Sequence, residues 1–221
     1  MPVYPAHKLI HIHIPKTGGT AIETYFHQIG DLQWNPEFWV GQQRKNDRWY
    51  EYQHLSMQEL RSLASSTLDP YDSFTVVRNP YARMISDYVW RQHIRARYPE
   101  SATQFFDSFD AFLGAVPTDM DGCWSDHIRN VDQRWANFLI HVRPQHQYIF
   151  DTEGNCLVEH MLRFEHLARD MNRLLRRYGS STTALQTPRE RDIAAYYDRR
   201  LLDLVNLIYA KDFECFCYEK L

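Results

Sequence analysis

Between Lys8 and Ile14 the chain alternates. Ile10, Ile12 and Ile14 point one way and Leu9, His11 and His13 the other, a period of two that predicts a β-strand over 8–14. The period then changes: Ile22, Tyr25, Phe26 and Ile29 fall at i, i+3, i+4 and i+7, which predicts a helix over 20–29 stopped by Gly30. FTVV at 74–77 is a continuous β-rich run, as expected of a strand buried on both faces. Asn79 then caps, and Pro80 opens, a helix running to about Arg97. A third apolar run, 157–162, leads into a helix ending at Tyr178, with Leu167, Met171, Leu174 and Leu175 on one face and Gly179 as its stop. Thr187-Pro188-Arg189-Glu190 reads as the capping box of a last helix that presents Ile193, Tyr197, Leu201, Leu204 and Ile208 to a core. Shorter helices are predicted over 56–64, with Ser56 and Glu59 as a capping box, and over 127–141. Residues 34–52, dense in Trp and Tyr, have no clean period and read as an irregular insertion; 98–126 reads as a variable lobe. Strands alternating with helices predict an α/β fold in three layers, a mostly parallel central sheet with helices on both faces, in a single domain over 1–221.

Composition sharpens this. At 221 residues, 44% hydrophobic and 14% aromatic, the chain can bury a sizeable core. A net charge of −3 argues against a broad nucleic-acid or anionic-membrane surface. The N-terminus lacks the pattern of a signal peptide, and no run approaches the ~18–20 apolar residues that span a bilayer. The four cysteines, Cys123, Cys156, Cys215 and Cys217, are irregularly spaced, which fits a reduced, cytoplasmic protein. Cys215 and Cys217 lack a second ligand pair at zinc-site spacing.

The chemistry concentrates where the first strand ends. Pro15-Lys16-Thr17-Gly18-Gly19-Thr20 joins strand to helix. Two adjacent glycines let the backbone turn its N–H groups inward, and the helix that follows adds the positive end of its dipole. Thr17 and Thr20 add hydroxyls and Lys16 a mobile charge. The set suits a phosphate-like anion at the C-terminal edge of a sheet. It also fits a plain strand–helix turn of small residues. It is not the common nucleotide-binding loop, which carries Lys-Ser/Thr after its second glycine, so a magnesium-dependent NTPase is disfavoured. Arg78 ends the second buried strand and Ser86 lies eight residues on. Together they would make a second anion site, which points to a nucleotide phosphorylated at two positions. Arg78 also fits a strand-end ion pair, and Arg83 reads as structural or rim. His11 and His13 share a strand face, where they line the sheet or, with a third ligand, hold a metal; His13 is also placed to orient the loop.

PKTGGT after a strand, with VRNPYARMISDY downstream, resembles the sulfotransferases that use 3′-phosphoadenosine 5′-phosphosulfate (PAPS). The nearest type is the carbohydrate one, the heparan- and chondroitin-modifying enzymes and their bacterial relatives. Tyr52-Gln53-His54-Leu55-Ser56, HVRPQ at 141–145, RFEHL at 163–167 and YAKDFECFCY at 209–218 are similar to further blocks of that family, so the resemblance runs from about Lys8 to Tyr218. Ala21 stands where a serine is frequent, and Cys217 where a glycine often sits.

The resemblance implies a P-loop-containing nucleotide-hydrolase-like sulfotransferase fold. It implies that Lys16, Thr17, Gly18, Gly19, Thr20 and Ala21 bind the 5′-phosphosulfate, and that Arg78 and Ser86 bind the 3′-phosphate. The reaction would be in-line sulfuryl transfer to an acceptor hydroxyl, of a saccharide or glycoconjugate, with 3′,5′-ADP (PAP) as product and no metal required. Lys16 and His54 are the implied catalytic pair: Lys16 meets charge on the leaving phosphate and His54 serves as the base. His141, Arg143 and Gln145 would contact nucleotide or acceptor, or support the fold. Residues 31–53 and 98–135 would form the acceptor side or a lid, and the aromatics of 34–52 would stack on sugars or pack a core. The competing readings are a small-molecule or nucleoside kinase with an atypical loop, and a catalytically idle nucleotide-binding relative. The expected setting is the cytoplasm, as for a bacterial-type enzyme, or the trimmed catalytic part of a membrane-anchored one.

Overall fold

A computed structural model of the protein describes residues 2–34, 42–45, 48–64, 70–180, 185–187 and 189–221. The contacts divide the chain into two units: 1–41, 51–78 and 147–189 make the first, and 42–50, 79–146 and 190–221 the second.

The first unit is built on a five-stranded sheet of order β3-β1-β2-β6-β7. Its strands are β1 (Pro2–Tyr4), β2 (Leu9–Ile12), β3 (Gln33–Trp34), β6 (Asp72–Val77) and β7 (His160–Arg163). β2, β6 and β7 are parallel neighbours, in register His11↔Phe74 and Phe74↔His160, while β1 pairs antiparallel with both β2 and β3. The expected first strand is thus present, shortened to 9–12, but alternation did not separate wet from dry. Leu9 to Ile14 are all buried, on both faces of the strand. The third apolar run pairs later than its sequence indicates, because Leu157 instead donates its N–H to the Ile149 carbonyl. β1 carries no sequence signal of its own.

α1 (Gly19–Gln28) and α8 (Leu167–Arg177) share one core with this sheet. Ile22 and Phe26 of α1 and Met171, Leu174 and Leu175 of α8 join Leu9, Phe74, Val76 and Leu162 in a single apolar cluster. Each such fully buried side chain is worth about 1.5–3 kcal/mol. Phe26 stacks on Tyr4 at 3.6 Å between ring centroids, which ties β1 beneath α1. Gly30 (φ 74°) and Gly179 (φ 77°) stop the two helices in the left-handed conformation that glycine accepts. α2 (Met57–Ala64) has its capping box as expected: Ser56 N donates to Glu59 Oε2 at 2.8 Å, and Glu59 N to Ser56 Oγ at 3.2 Å.

The second unit is helical: α3 (Pro80–Arg97), α4 (Phe109–Gly114), α5 (Met120–His127), α6 (Gln133–Val142), α9 (Arg199–Ile208) and α10 (Ala210–Cys215). Asn79 Oδ1 caps α3 by accepting from Tyr81 N and Ala82 N. Three expectations change here. The lobe at 98–126 contains α4 and α5, because Phe109, Phe112, Leu113 and Trp124 find a core that is distant in sequence. The irregular insertion contains a two-stranded sheet, β4 (Gln42–Lys45) and β5 (Arg48–Glu51). Trp49 Nε1 anchors it by donating to the Val131 carbonyl at 3.0 Å. The insertion's other aromatics Phe38 and Trp39 lie outside the described residues.

The last helix begins at Arg199, not at Thr187, with Asp198 Oδ1 accepting from Leu201 N. Thr187 Oγ1 accepts instead from Ala168 N at the start of α8, and Pro188 lies outside the described residues. A hydroxyl taken by another helix cannot cap its own. The helix expected over 127–141 is α6, which starts only after Asp132, whose carboxylate accepts from Trp135 N. A short α7 (His146–Ile149) follows it in the chain.

Buried charge organises the second unit. Asp87, fully buried on α3, accepts from Arg91 Nε at 2.8 Å and lies 2.6 Å from His141 Nδ1. Arg83 donates to the His141 and Arg143 carbonyls at 3.0 and 2.8 Å, the structural role expected of it. Asp212 accepts the backbone N–H groups of Gln145 and His146 at 2.8 and 2.9 Å. Asp87→Ala would remove the carboxylate that a buried guanidinium and a buried imidazole share. Breaking a buried pair on one side costs about 3–5 kcal/mol. Denaturant unfolding is expected to show a loss of that size, against less than about 0.5 kcal/mol for the exposed pair member Asp107→Ala.

Candidate active site

Because β2, β6 and β7 are parallel, their C-terminal ends lie on one edge of the sheet. The residues that follow these strands, 13–18, Arg78 and Phe164, therefore gather there. Lys16 stands in the left-handed region at φ 68°, and Gly18, at φ 96°, is the N-cap of α1 without a side-chain capping bond. A left-handed non-glycine residue costs about 1–2 kcal/mol and needs an external hold. Arg78 supplies one: its Nη1 donates to the Lys16 carbonyl at 3.0 Å. The guanidinium lies 3.9 Å over the Phe164 ring. Thr17 Oγ1 donates to the Ile14 carbonyl at 2.8 Å, so its proton closes the loop from inside.

The backbone N–H groups of Thr17, Gly18, Gly19 and Thr20 have no acceptor among the described residues. The Ala21 N–H differs, donating to the Gly18 carbonyl at 3.0 Å. The loop thus presents successive donors at the positive end of a helix, an arrangement that receives an anion.

His13 and His54 meet behind this loop. His54 is buried, and its Nδ1 lies 2.8 Å from the His13 carbonyl. A carbonyl only accepts, so Nδ1 carries the proton and Nε2 holds the lone pair. Glu51 Oε1 is 4.0 Å from that Nε2. His13 Nδ1 is 2.9 Å from Glu23 Oε1 on α1. Gln53 Nε2 lies 3.4 Å from both of those atoms. Beneath His13, the His11 ring stacks at 5.1 Å and on Phe74 at 4.7 Å. His11, His13 and Glu23 bring ligand-type atoms within 4.8 Å of one another. The two imidazoles are inclined by only 11°, so their in-plane lone pairs run side by side, and His13 Nδ1 is already paired with Glu23. This is the geometry of a stack and a hydrogen bond, not of three ligands converging on one ion.

The structure thus brings Lys16 to Ala21, Arg78 and His54 into the first unit. Ser86 lies half-buried on α3 of the second, and its hydroxyl makes no hydrogen bond among the described residues. His141, Arg143 and Gln145 also belong to the second unit. His141 pairs with Asp87 and stacks on Trp90, and the Arg143 guanidinium lies 3.9 Å over the Trp124 ring. Cys156, Cys215 and Cys217 are exposed and not disulfide-bonded. Glu23 and Glu51 enter the site without a motif to mark them, and Gln53 and Phe164 lie in the family-like blocks at 52–56 and 163–167, which gave them no role. Only the alternation that put His13 at the strand's end hinted at its place.

A model described as the sulfotransferase family matches residues 1–219, so this chain belongs to the sulfotransferase family. No curated protein matches it. The family is one of transferases that move a sulfuryl group to a hydroxyl-bearing acceptor. No helix among the described residues is long and apolar enough to cross a membrane.

Two predictions come from this geometry. Arg78→Met keeps the apolar contact with Phe164 but leaves the Lys16 carbonyl without its donor. A loss of about 1–3 kcal/mol is expected in chemical unfolding. Burial, and next the neighbouring His13, hold the His11 pKa well below its ordinary value of 6.5. The folded protein then keeps His11 neutral while the unfolded chain takes up a proton. The stability contributed is complete above about pH 6.5 and is lost as pH falls below it, at up to about 1.4 kcal/mol per pH unit. Relative to wild type, His11→Phe should flatten the fall in unfolding free energy between about pH 6.5 and 5.

Proposed function

We propose that the chain is a PAPS-dependent sulfotransferase acting on a carbohydrate or glycoconjugate hydroxyl, with both units serving one catalytic domain, since the family match runs through both. The observation that carries the nucleotide assignment is the row of four backbone N–H groups, Thr17 to Thr20, at the start of α1 beside a left-handed Lys16. These groups fit the 5′-phosphosulfate, with Ala21 completing the first turn. Arg78 is assigned to the 3′-phosphate on the sequence resemblance, and its Nη1 also braces the loop at the Lys16 carbonyl. Ser86 is assigned the same phosphate on the sequence resemblance alone. The donor supplies an activated sulfuryl group, and 3′,5′-ADP is what it leaves.

The chain's own groups do the rest. Lys16 neutralises charge growing on the leaving phosphate oxygen, an electrostatic role that needs no metal. His54 receives the acceptor's proton at Nε2. Its Nδ1–H is held by the His13 carbonyl, which makes Nε2 the accepting nitrogen, and Glu51 is placed to steady the imidazolium that forms. General-base help of this kind is worth about 10²–10⁴-fold. The carbohydrate acceptor rests on the resemblance of the loop and the 77–88 segment.

Thermal shift with 3′,5′-ADP and with ATP–Mg²⁺ tests the reading. At ~100 Kd, 3′,5′-ADP should stabilise the protein by about 2.7 kcal/mol, and Lys16→Ala should reduce this. Stabilisation by ATP–Mg²⁺ alone would overturn the proposal in favour of a kinase. His54→Ala should keep 3′,5′-ADP binding and lose about 10²–10⁴-fold in turnover; undiminished turnover would remove His54 as the base.

A further inference from the structure

We infer that His13, held by Glu23, is the positioning residue that sets the His54 base in register with the phosphate loop, an inference that rests on the sulfotransferase reading above. Four contacts converge on His13. Its carbonyl accepts from His54 Nδ1 at 2.8 Å, which fixes the base's tautomer and its distance from the strand end. Its Nδ1 sits 2.9 Å from Glu23 Oε1, one turn into α1. Gln53, the residue before the base, reaches both His13 Nδ1 and Glu23 Oε1 at 3.4 Å. Its ring fills the space left by the side chain that Gly19 lacks: a Cβ there would lie 2.0 Å from His13 Nε2. In addition to these four, the His11 ring, itself stacked on Phe74 at 3°, stacks on the His13 ring at 11° and holds its plane.

Strand end, helix start and base segment are therefore indexed to one imidazole. The loop holds the group that leaves, and His54 meets the group that attacks. The His13 imidazole lies against Gly19 of the loop and meets the His54 ring edge to face at 4.6 Å between centroids, and so fixes the distance between them. Misplacing a reacting group by ~1 Å costs about 10²-fold. A histidine that merely filled the core would affect folding, or nucleotide affinity, without selectively lowering turnover. Glycine at 19 is demanded by this contact, independently of any ligand.

The test separates binding from turnover. His13→Ala should lower kcat by about 10²-fold while 3′,5′-ADP affinity changes by less than about threefold. Glu23→Ala should act in the same direction, and Glu23→Gln, which can still accept from Nδ1–H, should regain at least about tenfold of that loss. Gly19→Ala should abolish 3′,5′-ADP binding, and Gly19→Ala combined with His13→Ala should restore it to within about tenfold of wild type. Unchanged kcat in His13→Ala, or parallel losses of kcat and 3′,5′-ADP affinity, would overturn the inference. So would a double variant no better than Gly19→Ala. If wild-type protein does not bind 3′,5′-ADP, the nucleotide reading itself has failed. The His13–Gly19 coupling is then read from unfolding temperatures: a double variant more stable than Gly19→Ala supports the contact, and equal stability refutes it.

Discussion

An imidazole occupies the place where residue 19 would otherwise carry a side chain, and the residue that opens α1 is fixed as glycine by that close approach. His13 Nε2 lies 2.0 Å from where a Cβ on Gly19 would stand. The helix can start there only because that atom is absent. Starting there, α1 opens immediately after a turn whose Lys16 is left-handed, and the N–H groups of residues 17–20 have no acceptor among the described residues. Hydrogen bonds then secure what sterics permit. Thr17 closes the loop on the Ile14 carbonyl, and Arg78 reaches back to the Lys16 carbonyl from the end of the neighbouring strand. An anion site made of backbone donors is only as firm as the backbone, so most side chains around this loop serve to hold it.

Parallel strands explain why these groups meet. Lys16, Arg78 and Phe164 are far apart in the chain, but each follows a strand that points the same way. Each therefore arrives at the same sheet edge. The second unit uses a different device. Its helices enclose Asp87 and Asp212, and each buried carboxylate is matched by donors from distant segments. HVRPQ, which resembles a family block, is held there by Arg83 and Asp212 through its backbone. A segment can thus resemble a family block because its backbone is gripped as well as because its side chains meet a ligand.

The sequence by itself determined much of this protein. The period change at Pro15, the capping residues Ser56, Glu59 and Asn79, and the stops at Gly30 and Gly179 all act within a turn or two of chain. Such local physics shows in spacing. The loop residues 16–21 and Arg78 lie at ends of elements that the same spacing marks, whereas His54 was pointed to only by the family resemblance. Only the tertiary structure decided the rest. Thr187 looks like a cap until Ala168 claims its hydroxyl, and 42–51 looks patternless until Trp49 finds the Val131 carbonyl. His11 and His13 read alike on the strand. One became a stacked, neutral ring in the core, and the other the contact between the start of α1, the loop and His54. Partners far apart in sequence leave no period behind, so what those residues do was set by which atoms the fold placed beside them.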